Sequence, residues 1–290
     1  MKNKKLIIII ILLIILGSIY PIYYIIKKNQ KIENKIYYYE LKNNSLTLLA
    51  NGKIVNFYNC DNECTVYENY FDNGKILLQE NNKIYLYDLV KGSKLSSDYE
   101  NVYFIKDEND KAKYLLVKNG QNYGIINMSG SVTVNLNYKE LGKIDGTNVT
   151  NLNLKDDYIT ALSDNKYGLI SLSNGKGVID FQYENITIEN NKIIAKENGK
   201  WYLIGKDNRK TIKTGYDELI PLTQNNIVRE NNSIYLIDEQ GNIISEKLVL
   251  NKNEIIEKYE DETLQIINEE TAKRTKYIYD KESNKFTKTK

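Results

Sequence analysis

The sequence predicts an all-β fold, a repeat array of short antiparallel meanders that is propeller-like or else an open β-solenoid, preceded by one transmembrane helix. Three observations carry this: an uncharged run near the N-terminus, two tyrosine-centred markers recurring in fixed phase, and hairpin-type turn pairs between short apolar runs. The 25 Tyr residues set against only 2 Pro suit pleated, half-buried strands. Abundant Lys, Asn, Ile and Tyr also fit an AT-rich coding bias, so pattern weighs more than composition.

The uncharged run is Leu6 to Ile26, LIIIIILLIILGSIYPIYYII, 21 residues long. At about 1.5 Å rise per residue, a helix of that length crosses the roughly 30 Å hydrocarbon core. Lys2, Lys4 and Lys5 precede it, Lys27, Lys28, Lys31 and Lys35 follow it, and Tyr20, Tyr23 and Tyr24 suit an interfacial belt. Lysines on both flanks do not orient the segment. The short basic leader resembles the start of an export signal, which places the N-terminus inside and the bulk of the chain outside the cytoplasm. Only Gly17 and Ser18 are small ahead of bulky Ile19 and Tyr20, so an uncleaved anchor is expected over a cleaved signal peptide. The expected organisation is a cytoplasmic leader 1–5, a membrane anchor 6–26, a linker 27–35 and a β domain 36–290.

Within the β domain an opening motif recurs as Ile84-Tyr85-Leu86-Tyr87, Tyr123-Gly124-Ile125-Ile126, Tyr167-Gly168-Leu169-Ile170, Trp201-Tyr202-Leu203-Ile204 and Ile234-Tyr235-Leu236-Ile237, at spacings of 39, 44, 34 and 33. A second marker follows at Tyr99, Tyr138, Tyr183 and Tyr216, 15 or 16 residues after the start of its own unit. In three cases an acid comes next, Glu100, Glu184 or Asp217; Lys139 stands in the fourth. Weaker copies, Ile36-Tyr37-Tyr38-Tyr39 and Lys276-Tyr277-Ile278-Tyr279, bring the count to six or seven units. A single sheet of this kind cannot bury its apolar face, so neighbours must stack.

Each unit reads as hairpins. Asn198-Gly199 and Asn119-Gly120 follow the apolar runs Ile193-Ile194-Ala195 and Leu115-Leu116-Val117, and Asn-Gly favours the type I′ turn. A second turn at Gly130, Asn174-Gly175 or Gly241 leads to a third strand, and a fourth short strand is expected near the Tyr-acid marker. The C-terminal stretch, charged as it is, alternates over Thr263 to Ile267 and Lys276 to Tyr279 and reads as further hairpins.

The segments from Gly199 to Ile220 and from Asn165 to Ile186, GKWYLIGKDNRKTIKTGYDELI and NKYGLISLSNGKGVIDFQYENI, resemble WG repeats, a bacterial family patterned G-K-W-G-L-I-D, turn, strand, Tyr-Asp. The resemblance runs from about Gln121 to Glu246. Trp survives only as Trp201, and Tyr85, Tyr202 and Tyr235 replace the Gly. What the resemblance implies is a β-rich repeat array of the kind found in exported or surface proteins. It brings no catalytic residues.

Candidate chemistry is sparse. With no His and one Cys pair, neither a His-based triad nor a four-ligand metal site is expected, and no cofactor is assigned. Cys60 and Cys64 frame a hairpin-sized loop and form either a disulfide or two thiols. Asp107 to Asp110 lack the Gly and the closing acid of a calcium loop. The 40 basic and 38 acidic residues nearly cancel, so no nucleic-acid partner is expected. Glu184 and Asp217 could be paired catalytic carboxylates, but their periodic recurrence favours a turn role. Trp201, with Tyr123 and Tyr167 at the same phase and Tyr183 and Tyr216 at the marker, is expected in the repeat core. Tyr67, Tyr70 and Phe71 lie out of phase and are freer for function. The expected activity is that of a membrane-anchored surface module binding a protein or glycan; the alternative is a carbohydrate-active enzyme using paired carboxylates.

Overall fold

The computed structural model describes residues 36–260 and 263–289. The leader, the Leu6 to Ile26 anchor and the linker lie outside these residues. Among the described residues there is no helix, hence none long and apolar enough to cross a membrane. The fold is all-β. The chain divides into two compact units, Met1–Lys94 and Leu95–Lys290.

The first unit holds two antiparallel sheets. Tyr37–Lys42, Ser45–Ala50 and Lys53–Asn59 form the first, and Cys64–Asp72, Lys75–Glu80, Lys83–Asp88 and Ser93–Lys94 the second. Leu46 and Leu48 pack with Ile76, Leu78, Tyr85 and Tyr87. Tyr37-Tyr38-Tyr39 falls on the first strand of its sheet, whereas the five main opening motifs fall on the strand that follows a hairpin tip. Tyr-Ile alternation marks a strand without saying which one, so this copy was out of phase.

The second unit holds five sheets. The third sheet contains Asn101–Lys106, Ala112–Asn119, Asn122–Asn127 and Val132–Tyr138, with the pair Lys143–Asp145 and Asn148–Thr150 added through a parallel bridge from Asn148 to Phe104. The fourth contains Tyr158–Ser163, Lys166–Ser171 and Gly177–Tyr183, edged by Glu140–Leu141 and Leu152–Asn153. That added pair interrupts the edge, which accounts for the long spacing of 44 between units. Asn185–Glu189, Lys192–Glu197 and Lys200–Ile204 form the fifth. Glu218–Pro221, Asn226–Glu230, Ser233–Ile237 and Leu248–Val249 form the sixth, and Glu254–Glu260, Thr263–Asn268, Arg274–Asp280 and Lys285–Lys288 the seventh.

Interior sheets are buried on both faces. In the fifth, Ile193 and Ala195 pack against Leu169, Ile179 and Tyr183 of the fourth, while Ile194 and Leu203 pack against Val228, Tyr235 and Ile237 of the sixth. Leu116 and Ile125 meet Ile159 and Ile170 between the third and fourth, and Ile227 and Ile234 meet Leu264 and Ile266 between the sixth and seventh. Burial on two sides is why these strands are solid apolar runs and not alternating ones.

Asparagine closes the hairpins. Both loop residues have positive φ at 43–44, 51–52, 73–74, 81–82, 164–165, 190–191 and 198–199, the sign pattern of type I′ turns, and Asn occupies the first place in all but the Asp164 pair. At the Asn119-Gly120 tip the expected pairing is displaced. Asn119 belongs to the strand and pairs with Asn122, leaving Gly120 and Gln121 as the loop, because the Asn119 side chain bonds the Glu100 amide and the Asp98 carbonyl.

Candidate functional site

The two recurring markers are cross-strand partners. Tyr123 pairs with Tyr138, Tyr167 with Tyr183 and Trp201 with Tyr216. From each pair toward the connecting turn, one strand advances three residues and the other six, reaching Ile126↔Val132, Ile170↔Gly177 and Ile204↔Lys210. The same bulge is built three times. Its arch lies over Gly124 and Gly168, where an added Cβ would sit 2.7 Å from the Val134 carbonyl oxygen and 2.6 Å from that of Ile179. In the fifth sheet Tyr202 replaces this glycine, and Gly215 on the opposite segment makes the room: a Cβ there would meet the Tyr202 ring at 2.5 Å.

In the fourth and fifth sheets the marker tyrosine is the more deeply buried partner, whereas Tyr138 is half-buried like Tyr123. Tyr183 and Tyr216 are buried, and Tyr183 donates to Asn208 Oδ1 at 3.1 Å. Tyr123, Tyr167 and Trp201 are half-buried at the margins of their clusters, with Lys196 Nζ 5.8 Å from the Trp201 ring. Burial, followed by its hydrogen bond to Glu140, pushes the Tyr167 phenol up to about 12.

The recurring acids are latches. Glu100 accepts the Gly120 amide at 2.7 Å, Glu184 the Gly199 amide at 3.2 Å and Asp217 the Asn231 amide at 2.8 Å, each at a hairpin tip of its own sheet. Lys200 donates to Asp217 at 2.6 Å and, with that amide, holds its carboxyl below the usual range against partial burial. A second recurring acceptor, four residues after the start of the opening motif, was not singled out in the sequence. Asp88, Asn127 and Asp238 each take two backbone amides of the following turn.

Cys60 and Cys64 are disulfide-bonded, with Cα atoms 6.2 Å apart. Tyr67-Glu68-Asn69-Tyr70 bulges from the second sheet between the paired residues Val66 and Phe71, and Phe71 packs on the Tyr39 ring at 5.2 Å.

A cavity of about 540 Å³ opens at the hairpin-loop end of the fifth, sixth and seventh sheets. Glu189, Asn190, Gln224, Asn225, Tyr259 and Glu260 contribute to its walls. Side-chain amides tie the loops at this end together. Asn151 grips the edge of the fifth sheet through the Ile186 carbonyl and the Ile188 amide, and Asn190 donates to the Pro221 carbonyl at 2.7 Å. Lys192 donates to the Asn225 carbonyl and to Asn226 Oδ1, both at 3.2 Å; burial lowers its pKa, with Glu239 opposing. Asn226 is fully buried where the fourth and fifth sheets have Ile159 and Ile193, and its Nδ2 has no partner. No group of His, Cys, Asp and Glu able to hold a metal occurs among the described residues.

Fold and site together define an all-β repeat protein with a concave surface formed by hairpin loops. No protein-family model matches the chain, and no curated protein matches it. Similar solved structures include Kluyveromyces lactis Hsv2p, at 9% identity and TM-score 0.36, covering 88% of this chain and 96% of that one. A eukaryotic initiation factor aligns at 13% identity and TM-score 0.43, covering 88% and 73%. PorZ, an essential bacterial surface component of the type-IX secretion system of Porphyromonas gingivalis, aligns at 10% identity and TM-score 0.35, covering 88% and 37%. At identities of 9–13% and TM-scores below 0.5 these likenesses carry neither a fold nor an activity over to this chain.

Proposed function

We propose that this chain is a membrane-anchored binding module of WG-repeat type, propeller-like in architecture, which presents its loop-end cavity to a glycan outside the cytoplasm. The carrying observation is that cavity. Its volume lies in the range of small-ligand sites, and it combines carboxylates, side-chain amides and tyrosine rings. Sugars offer both hydroxyl pairs for such polar groups and C–H faces for aromatic rings, so this mixture suits them. The seven successive meanders among the described residues, each of three or four main strands, fall within the 4 to 8 blades typical of propellers. The anchor reading rests on Leu6 to Ile26, and the outward orientation on the short basic leader.

Calorimetric titration of the full-length chain in mild detergent against an oligosaccharide panel tests the site. Glu189→Ala is expected to weaken binding at least about tenfold, as loss of roughly one charge-assisted hydrogen bond does, and Gln224→Ala about fivefold, as loss of a neutral one does, without moving the melting midpoint. Wild-type affinity in both variants refutes the site. Protease added to wall-stripped cells is expected to digest the β domain, and protection until lysis refutes the orientation.

A second reading follows from Glu189 and Glu260 lining one cavity: a glycosidase with two carboxylates across the scissile bond. On this reading Glu189→Gln or Glu260→Gln abolishes sugar release while binding persists. Binding without any hydrolysis by the wild type removes it.

A further inference from the structure

The first sheet turns Leu46 and Leu48 toward the core of its unit. The pleat therefore sends Tyr38, Leu49 and Ile54 to the other face, where the register lines them up across all three strands as Tyr38↔Leu49↔Ile54. Phe57, opposite Thr47, extends the row, and Val55 is the extra residue of a bulge between Ile54 and Asn56. Ile54 is 71% exposed, Phe57 64%, and Val55 and Tyr38 each 42%. No other strand among the described residues exposes three large apolar side chains. The seventh sheet treats the face away from its apolar cluster differently: there Glu257 binds Arg274 and Gln265, a polar cover of the kind terminal repeats carry.

We propose that this face of the first sheet docks on the surface of the lipid bilayer. The inference rests on reading Leu6 to Ile26 as the anchor, and what it adds is a second membrane contact made by the folded domain. Residues 27–35 are all that separate the anchor from this sheet, and nine residues reach at most about 30 Å even when fully extended. Among the described residues no strand is nearer the anchor along the chain than the one carrying Tyr38. Lys27, Lys28, Lys31 and Lys35 in the connection complement anionic headgroups, while on the face itself exposed Glu40 is neutralised by Lys42 at 2.9 Å. Ile54, Val55 and Phe57 supply the apolar contact, and Tyr38 has the amphipathic ring that settles at the interface. Covering the patch also shields Lys53–Asn59, an edge strand whose apolar exposure otherwise invites pairing with another chain.

Tryptophan fluorescence tests the contact, because Trp201 is the only native Trp. Full-length chain is reconstituted into phosphatidylcholine–phosphatidylglycerol vesicles, with or without bromine on the acyl chains, as wild type and as Phe57→Trp, with Val55→Trp as the second probe. The emission added by either probe is expected to be more than halved by brominated lipid, with Trp201 emission unchanged. Protein that pellets with vesicles but keeps the added emission overturns the docking and leaves the anchor standing. Blue-shifted, unquenched emission means that protein covers the face, a second copy for instance, and overturns it equally. Failure to pellet overturns anchor and docking together.

Discussion

Gly168→Ala isolates the repeated bulge. The substitution adds one carbon 2.6 Å from the Ile179 carbonyl oxygen, 3.1 Å from the Asp180 carbonyl carbon and 3.2 Å from its oxygen. All three neighbours are backbone, so no rotamer change relieves the contact. Gly168 does not have positive φ, and the cost is therefore the clash alone. Restoring ordinary separation near 3.5 Å requires the arch to lift by somewhat under about 1 Å, which strains the flanking pairs Tyr167↔Tyr183 and Leu169↔Ile179. Overpacking of this kind costs about 1–3 kcal/mol. For a domain of this size that corresponds to a fall of about 3–10 °C in the melting midpoint. The control is Gly177→Ala on the partner strand: no atom lies within 4 Å of the new carbon, φ is not positive, and reduced unfolded-state freedom is expected to be neutral or stabilising by up to about 1 kcal/mol. Both variants are melted as full-length chain in mild detergent and followed by circular dichroism. If Gly168→Ala melts with Gly177→Ala, at or above the wild type, the bulge does not need its glycine and the reasoning fails.

Trp201→Ala removes a half-buried ring and is expected to cost about 2 kcal/mol, short of the 3–5 of a full core aromatic, whereas buried Tyr216→Ala reaches that higher range; equal midpoints would reverse the ranking of the two landmarks. Asp217→Asn weakens a partly exposed ion pair and a hairpin-tip hydrogen bond, an expected loss of about 1–2 kcal/mol by urea titration, and an unmoved midpoint removes the latch. Arg274, then Gln265, holds the Glu257 carboxyl down to about 2 from 4.5, so its stabilisation is complete above pH 4.5 and is lost as pH falls toward 2. The acid limb of stability should flatten in Glu257→Gln; an unchanged limb refutes the linkage. Reducing the Cys60–Cys64 bond opens a short loop and is expected to cost about 2 kcal/mol in the chain-entropy account, read as a lower midpoint in reductant.

Much of the repeat was legible because its signals are local. The 15- and 16-residue offsets are the path out from one strand and back to its partner, and the extra residue at Tyr183 sits in the longer turn between Ile170 and Gly177. Periodicity placed Trp201 in the repeat but not its depth, since depth depends on the sheet that covers the ring. Asparagine was discounted as coding bias, yet a positive-φ position is where its short polar side chain is tolerated and most residues are not. The cavity was invisible for a different reason. Glu189, Gln224 and Tyr259 come from three sheets, and nothing in their local sequence announces that the loops meet.

The acid latch has a consequence for how such a chain grows. Glu184 holds Gly199, and Asp217 holds Asn231, so each bond closes inside the stretch that runs from one marker tyrosine to the next. Copying or deleting a segment cut at those tyrosines, such as the 33 residues from Tyr183 to Tyr216, keeps donor and acceptor on the same piece. A cut inside the hairpin, in the strand Asn185–Glu189 or Lys192–Glu197, separates them. The heritable module of this array is therefore any cassette that leaves the stretch from acid to hairpin tip uncut, and gene duplication in such a frame delivers a new sheet with its fastening already installed.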